Sequence, residues 1–175
     1  MKLDPGGVCN YYRVTARHLA MDAHVLPDSI STEAAVTIEP WSCVLSGLRV
    51  CHIQPGDTVA VVGAGFMGQG LVHLVPLLGA GKVVALDFSD WRLARAREFG
   101  ATHTNNPRTT DAVEMMRKIY SGRLADTVIV IAPFPSAREQ ALPPETDWVR
   151  DGNRAYLDQV SVTSRHSCDH TDTYS

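Results

Sequence analysis

The chain has few cysteines and no C-x-x-C pair. Cys9, Cys43, Cys51 and Cys168 are scattered over 175 residues. That spacing gives no disulfide framework and no cysteine-rich structural zinc site, and it suits free thiols in a reducing compartment. Long apolar runs are missing too; none approaches the roughly 20 residues that span a bilayer. The opening Met1–Gly7 lacks the apolar core of a signal peptide. Both point to a cytoplasmic protein that does not use a membrane. Nor is there a basic face: 16 Lys and Arg stand against 19 Asp and Glu, a net charge of −3. Nucleic acid is therefore not an expected partner. No G-x-S-x-G occurs, so a nucleophilic serine turn is not indicated.

What is present centres on residues 58–68. Thr58 to Val62 is an apolar, β-branched run of the kind buried on both faces of a parallel sheet. Gly63, Gly65 and Gly68 then form G-x-G-x-x-G around Ala64, Phe66 and Met67. Leu71, Val72, Leu74 and Val75 come next, at spacings a packed helix can use. Strand, glycine turn and helix together form the setting in which this motif binds a dinucleotide pyrophosphate. The first amides of such a helix lack intrahelical partners and sit at the positive end of its dipole. A second strand, 82–87, ends at Asp87. An acidic residue there would bond the ribose hydroxyls of the cofactor.

Around this unit the pattern alternates. Ser29 or Ser31 caps a helix over 32–38, Pro40 ends or bends it, and a second helix runs over 41–53. Gln54–Asp57 makes a turn. Pro76 shortens the helix after Gly68. Ser89 or Asp90 caps a helix over 91–99, a short strand lies at 101–104, Thr110 caps a helix over 111–120, and 126–131 is another buried strand. Beyond it, a short helix is expected over 136–142 and an edge strand over 157–163. This order predicts an α/β fold, a doubly wound Rossmann-like parallel sheet. The edge at 126–131 would be incomplete. It would then drive homo-oligomer formation, or be paired by 157–163.

Several blocks in order resemble the medium-chain, zinc-type alcohol and polyol dehydrogenases: Leu26-Pro27-Asp28, Glu39-Pro40, Gly56-Asp57-Thr58-Val59, the glycine motif, Asp87 with Arg92, and Gly100-Ala101-Thr102. Glu39-Pro40 looks most like the sorbitol and threonine dehydrogenase branch. The resemblance implies residues 1–28 as the remnant of a GroES-like catalytic domain with its linker. Residues 29–175 would be the dinucleotide-binding domain, C-terminally truncated. It implies Gly63, Gly65, Phe66, Met67 and Gly68 at the pyrophosphate, and Asp87 and Arg92 at the adenosine ribose. NAD is then the expected cofactor, since Asp87 would repel a 2′-phosphate. A small alcohol or polyol is the expected substrate, with zinc in the complete enzyme. Glu39 matches a metal-facing position. The family's main zinc ligands have no counterpart here, so no catalytic residue is expected in this chain and it should be inactive alone. A non-catalytic NAD-binding module and an S-adenosylmethionine-dependent methyltransferase are the alternatives. His166, Cys168 and His170 admit a zinc reading, but a polar loop fits them better because no fourth ligand lies nearby.

Overall fold

The computed structural model describes residues 10, 11 and 13–132, and the backbone of 154–157 and 160–164. The expected helix at 136–142 and the 166–170 cluster lie outside the described residues. Two compact units divide the chain at Ile38 and Glu39. The first contains α1, Ala16–Met21, capped by Thr15, and α2, Thr32–Ala35, capped by Ser31. Neither helix has a buried residue.

The second unit is built on a six-stranded sheet. β1 is Thr58–Val62, β2 Lys82–Leu86, β3 His103–Asn105 and β4 Thr127–Val130. They lie in the order β3-β2-β1-β4, each neighbouring pair parallel. β1 is central: the chain steps outward to β3, then returns to the far side of β1 as β4. A reversal of this kind opens a crevice at the carboxyl ends of the strands. This is the Rossmann-like arrangement the alternating pattern predicts.

Period-two alternation divides the core between the two faces. Val59, Val61, Val83, Ala85 and Ile129 pack on one side. They meet Val44 and Leu48 of α3, Ile38–Arg49, Leu71 and Val72 of α4, Phe66–Leu74, the adjoining Val75, and Leu93 and Ala96 of α5, Asp90–Glu98. Ala60, Val62, Val84, Leu86, Val128 and Val130 pack on the other side with Met116 of α6, Ala112–Ile119, and Tyr120. Fully burying each Val or Leu is worth about 1.5–3 kcal/mol, so both helical layers are needed to hold the sheet.

Three local expectations are corrected. Pro40 does not end a helix. It sits in the first turn of α3, where a missing N–H costs nothing. Asp111, not Thr110, caps α6, its carboxylate accepting from Glu114 N at 2.9 Å. The expected single edge strand is a hairpin of β5, Arg154–Leu157, and β6, Val160–Ser164. β6 pairs antiparallel with β4, Val128 opposite Thr163. The β4 edge is thus satisfied within the chain, which needs no second copy to cover it. The Pro76 expectation holds: the chain leaving α4 tightens into a 3₁₀ turn at Pro76–Leu78.

Candidate functional site

The carboxyl ends of β1, β2 and β4 meet at the glycine turn. Gly63 has φ +102°, a conformation that L side chains rarely adopt, and a Cβ there would stand 3.0 Å from Ala132 N. A Cβ on Gly68 would collide with the Gly63 carbonyl oxygen, so only glycine brings α4 this close to the turn. Gly65 differs. Its φ of −70° suits any residue, and nothing lies within 4 Å of where its Cβ would be. That space lies beside the start of α4, where Gly65 is the N-cap without any side-chain cap. The first amides, at Phe66 and Met67, have no acceptor within the helix. Phe66 is exposed, whereas Met67 packs against the core.

Asp87 comes directly after β2 and faces this turn. Its Oδ2 accepts from Ala64 N at 2.9 Å. Its Oδ1 accepts from Ser89 N at 2.8 Å, an Asx turn that opens the cap of α5. Arg92, one turn into α5, places its guanidinium 3.6 Å from Oδ2. Asp87 is 9% exposed and Arg92 52%, so the cation stays solvated while the carboxylate is sheltered. The arrangement leaves Asp87 acceptor capacity, because a carboxylate has about four lone-pair directions. Phe88 and Asn106 border the same end, with Arg108 stacked 5.0 Å over the Phe88 ring. Asn106 donates to Asp90 at 2.8 Å.

Glu39 lies apart from this cluster in sequence and in neighbours. It is exposed in the first turn of α3 and accepts from the Cys43 thiol at 3.7 Å. Among the described residues, no three His, Cys, Asp or Glu side chains could hold one metal ion. Nor, among them, is any helix long and apolar enough to cross a membrane.

The end of the glycine motif and the strands and helices beyond it also match known proteins. Residues 67–143 fit the zinc-binding dehydrogenase family. Sorbitol dehydrogenase of Bacillus subtilis is 36% identical over 118 residues, covering 67% of this chain and 33% of that protein. D-xylulose reductase of Scheffersomyces stipitis is 30% identical over 155 residues, covering 86% and 41%. The chain belongs to the medium-chain, zinc-type alcohol and polyol dehydrogenase superfamily. Solved members of similar fold include alcohol dehydrogenase TADH of Thermus sp. ATN1, with TM-score 0.61 and 31% identity over 67% of this chain and 35% of that one. A Sinorhizobium meliloti protein solved bound to NADP has TM-score 0.61 and 30% identity over 66% and 34%. The chain thus spans 33–41% of the length of these relatives. These matches give the methyltransferase alternative no support.

Sequence reasoning grouped Gly63, Gly65, Gly68, Asp87 and Arg92; in the structure the three glycines shape the turn, Asp87 bonds to it through Ala64 N, and Arg92 of α5 lies beside Asp87. That reasoning gave no site role to Ala64 or Gln69, and it read Ser89 only as a cap of α5, which it is. The Asp87-Phe88-Ser89 order carried a readable Asx-turn signal. Gln69 carried none, since its partners lie 5 and 23 residues away.

Proposed function

We propose that this chain is the NAD(H)-binding part of a zinc-type oxidoreductase acting on a secondary alcohol or polyol. The observation that carries this reading is the placement of Asp87. A sheltered carboxylate at the end of β2 is tied by Ala64 N to a turn with open space over Gly65. The pyrophosphate would lie over Gly65 against the first amides of α4, with Phe66 and Met67 at its flank. The ribose hydroxyls would donate to Asp87, with Arg92 beside them. Bound NAD would supply the hydride chemistry; the residues here bind and orient it. Asp87 favours NAD, since a 2′-phosphate would meet its charge. The matches to sorbitol dehydrogenase and D-xylulose reductase support a polyol as the substrate class.

Zinc does not fit the described residues. Glu39 with Cys43 offers at most two donors, whereas a catalytic zinc typically has three protein ligands. We place Glu39 as a single carboxylate toward a metal that other residues would hold. Residues 1–28 are assigned to a catalytic domain and its linker, and 29–175 to the cofactor domain. On this reading the 175-residue chain binds cofactor without oxidising an alcohol.

Calorimetric titration with NADH, NADPH and S-adenosylmethionine tests the assignment. NADH should bind more tightly than NADPH, and S-adenosylmethionine should not bind. Tighter NADPH binding would overturn the NAD assignment, and failure to bind either nucleotide would overturn the module itself.

A further inference from the structure

Ala64 is the residue between the first two glycines, and it is buried. Both of its backbone polar groups are held by side chains from other elements. Its N–H donates to Asp87 Oδ2 at 2.9 Å. Its carbonyl accepts from Gln69 Nε2, also at 2.9 Å. The same Nε2 donates to the Arg92 carbonyl in the first turn of α5, at 2.9 Å. Both hydrogens of one amide group are therefore spent on two elements. The other end of that side chain, Oε1, is buried without a hydrogen-bond partner. A buried acceptor without a partner is costly, so an apolar side chain would suit these surroundings better unless the two donated bonds matter.

What they join is specific. Ala64 belongs to the turn facing the pyrophosphate space. Arg92 lies in the first turn of α5, and its side chain returns to Asp87. We infer that Gln69 is a positioning residue that couples the pyrophosphate side of the nucleotide site to its ribose side. It fixes the Ala64 carbonyl while Asp87 fixes the Ala64 N–H, and it fixes the α5 turn from which Arg92 reaches Asp87. A nucleotide that engages Asp87 then meets a turn already held in place, and the converse holds too. This rests on the nucleotide-binding reading, but no part of that reading requires Gln69.

The test uses the full 175-residue chain. Gln69→Met keeps length and apolar bulk but donates nothing. It should weaken NADH about tenfold. Adenosine, which reaches only the ribose side, should weaken by about threefold or less. Gln69→Glu puts acceptors against two carbonyls and should weaken NADH further still. Asp87→Asn in the Gln69→Met background should cost less than in the unmutated chain, because both side chains hold the same residue. A role confined to folding would lower the melting temperature without that non-additivity. Should Gln69→Met fail to fold, the unmutated protein still decides. Its Gln69 side-chain amide resonances should shift when adenosine binds, although adenosine carries no phosphate. NADH affinity indifferent to Gln69→Met, strictly multiplicative costs, or amide resonances unmoved by bound adenosine would each overturn the coupling while leaving the cofactor assignment intact. Absence of any NADH binding by the unmutated chain would remove both.

Discussion

Asp87 and Asp126 occupy opposite ends of the sheet and share one local chemistry. Each is nearly buried, with side-chain exposures of 9% and 6%. Each accepts a backbone N–H from a neighbouring segment: Ala64 N at 2.9 Å for Asp87, Thr58 N at 2.8 Å for Asp126. Each has a solvated arginine beside it, Arg92 at 3.6 Å and Arg123 at 3.1 Å. Open space does not separate them, since Asp126 itself lines a cavity with Thr58 and Arg123; the backbone each one holds does. Asp126 secures the start of β1, next to the Gln54–Asp57 turn, where the Asp57 carboxylate in turn accepts from Gln54 N. Asp87 secures a glycine turn with open space and uncapped amides beside it. A carboxylate bonded to backbone is therefore not in itself a site. It becomes one where the backbone it holds still has donors to offer.

The largest effect should come from the structural member of the pair. Asp126→Ala removes the acceptor of a buried N–H at Thr58 and strips Arg123 of its partner. Denaturant unfolding should show a loss of about 3 kcal/mol. Where the variant is still folded, NADH affinity should be unchanged. A tenfold loss of NADH affinity in folded Asp126→Ala would erase the contrast between the two ends.

Asp87→Ala should invert that profile. NADH affinity should fall by about 2 kcal/mol, or roughly 30-fold, since bonds to a charged acceptor are lost. The preference over NADPH should relax along with it. The stability loss should be smaller than for Asp126→Ala, because the turn it holds lies at the rim. Equal stability losses with no change in cofactor affinity would reduce Asp87 to a second structural clamp.

Gly65→Ala sharpens the comparison at one atom. The backbone at φ −70° accepts alanine, and the new methyl meets no protein atom within 4 Å. Stability should stay within about 0.5 kcal/mol. NADH should bind about fivefold more weakly, because the methyl enters the space assigned to the pyrophosphate. Unaltered affinity would show that the nucleotide does not lie over Gly65.

The range of each interaction decides how much of it could be read from the sequence. The strand, the three glycines and Asp87 were legible because their signals are contiguous: β-branched residues, a fixed glycine spacing, and an acid at the end of the next strand. Arg92 was placed by likeness to the dehydrogenases. The Asp126–Thr58 bond was not legible, since it joins positions 68 residues apart and either residue alone is ordinary. Gln69 was invisible for the same reason. Pro40 was misread because a proline in the first turn of a helix and one that breaks a helix look alike until the N-terminus is known. The β5–β6 hairpin replaced the expected single strand because Asp158 and Gln159 carry only a weak turn signal.

The smallest effect belongs to the amino end of the sheet and concerns pH. His103 begins β3 and stacks edge-on against Tyr120, with ring centroids 6.0 Å apart. The Lys82 ammonium lies 4.5 Å over the same Tyr120 ring. Burial, and after it the Lys82 charge, holds the His103 pKa below its usual 6.5. A depressed value means that the unfolded chain takes up a proton before the folded chain does. The stabilising contribution of neutral His103 is therefore complete above about pH 6.5 and is lost as pH falls through the folded value. Tyr120 moves oppositely: burial raises its pKa above 10, so its contribution is present below pH 10 and lost above it. Because His103 is partly exposed, solvent screens much of the effect. Between pH 7 and pH 5, His103→Phe should lose less Tm than the unmutated chain, by about 1–2 °C. Phenylalanine keeps the edge-on ring and cannot be protonated. A larger acid-induced loss in the variant would show that His103 gains a partner on protonation, reversing the sign argued from Lys82. NADH affinity measured across the same pH range should not distinguish the two proteins, because neither His103 nor Tyr120 lies at the carboxyl ends where the glycine turn stands.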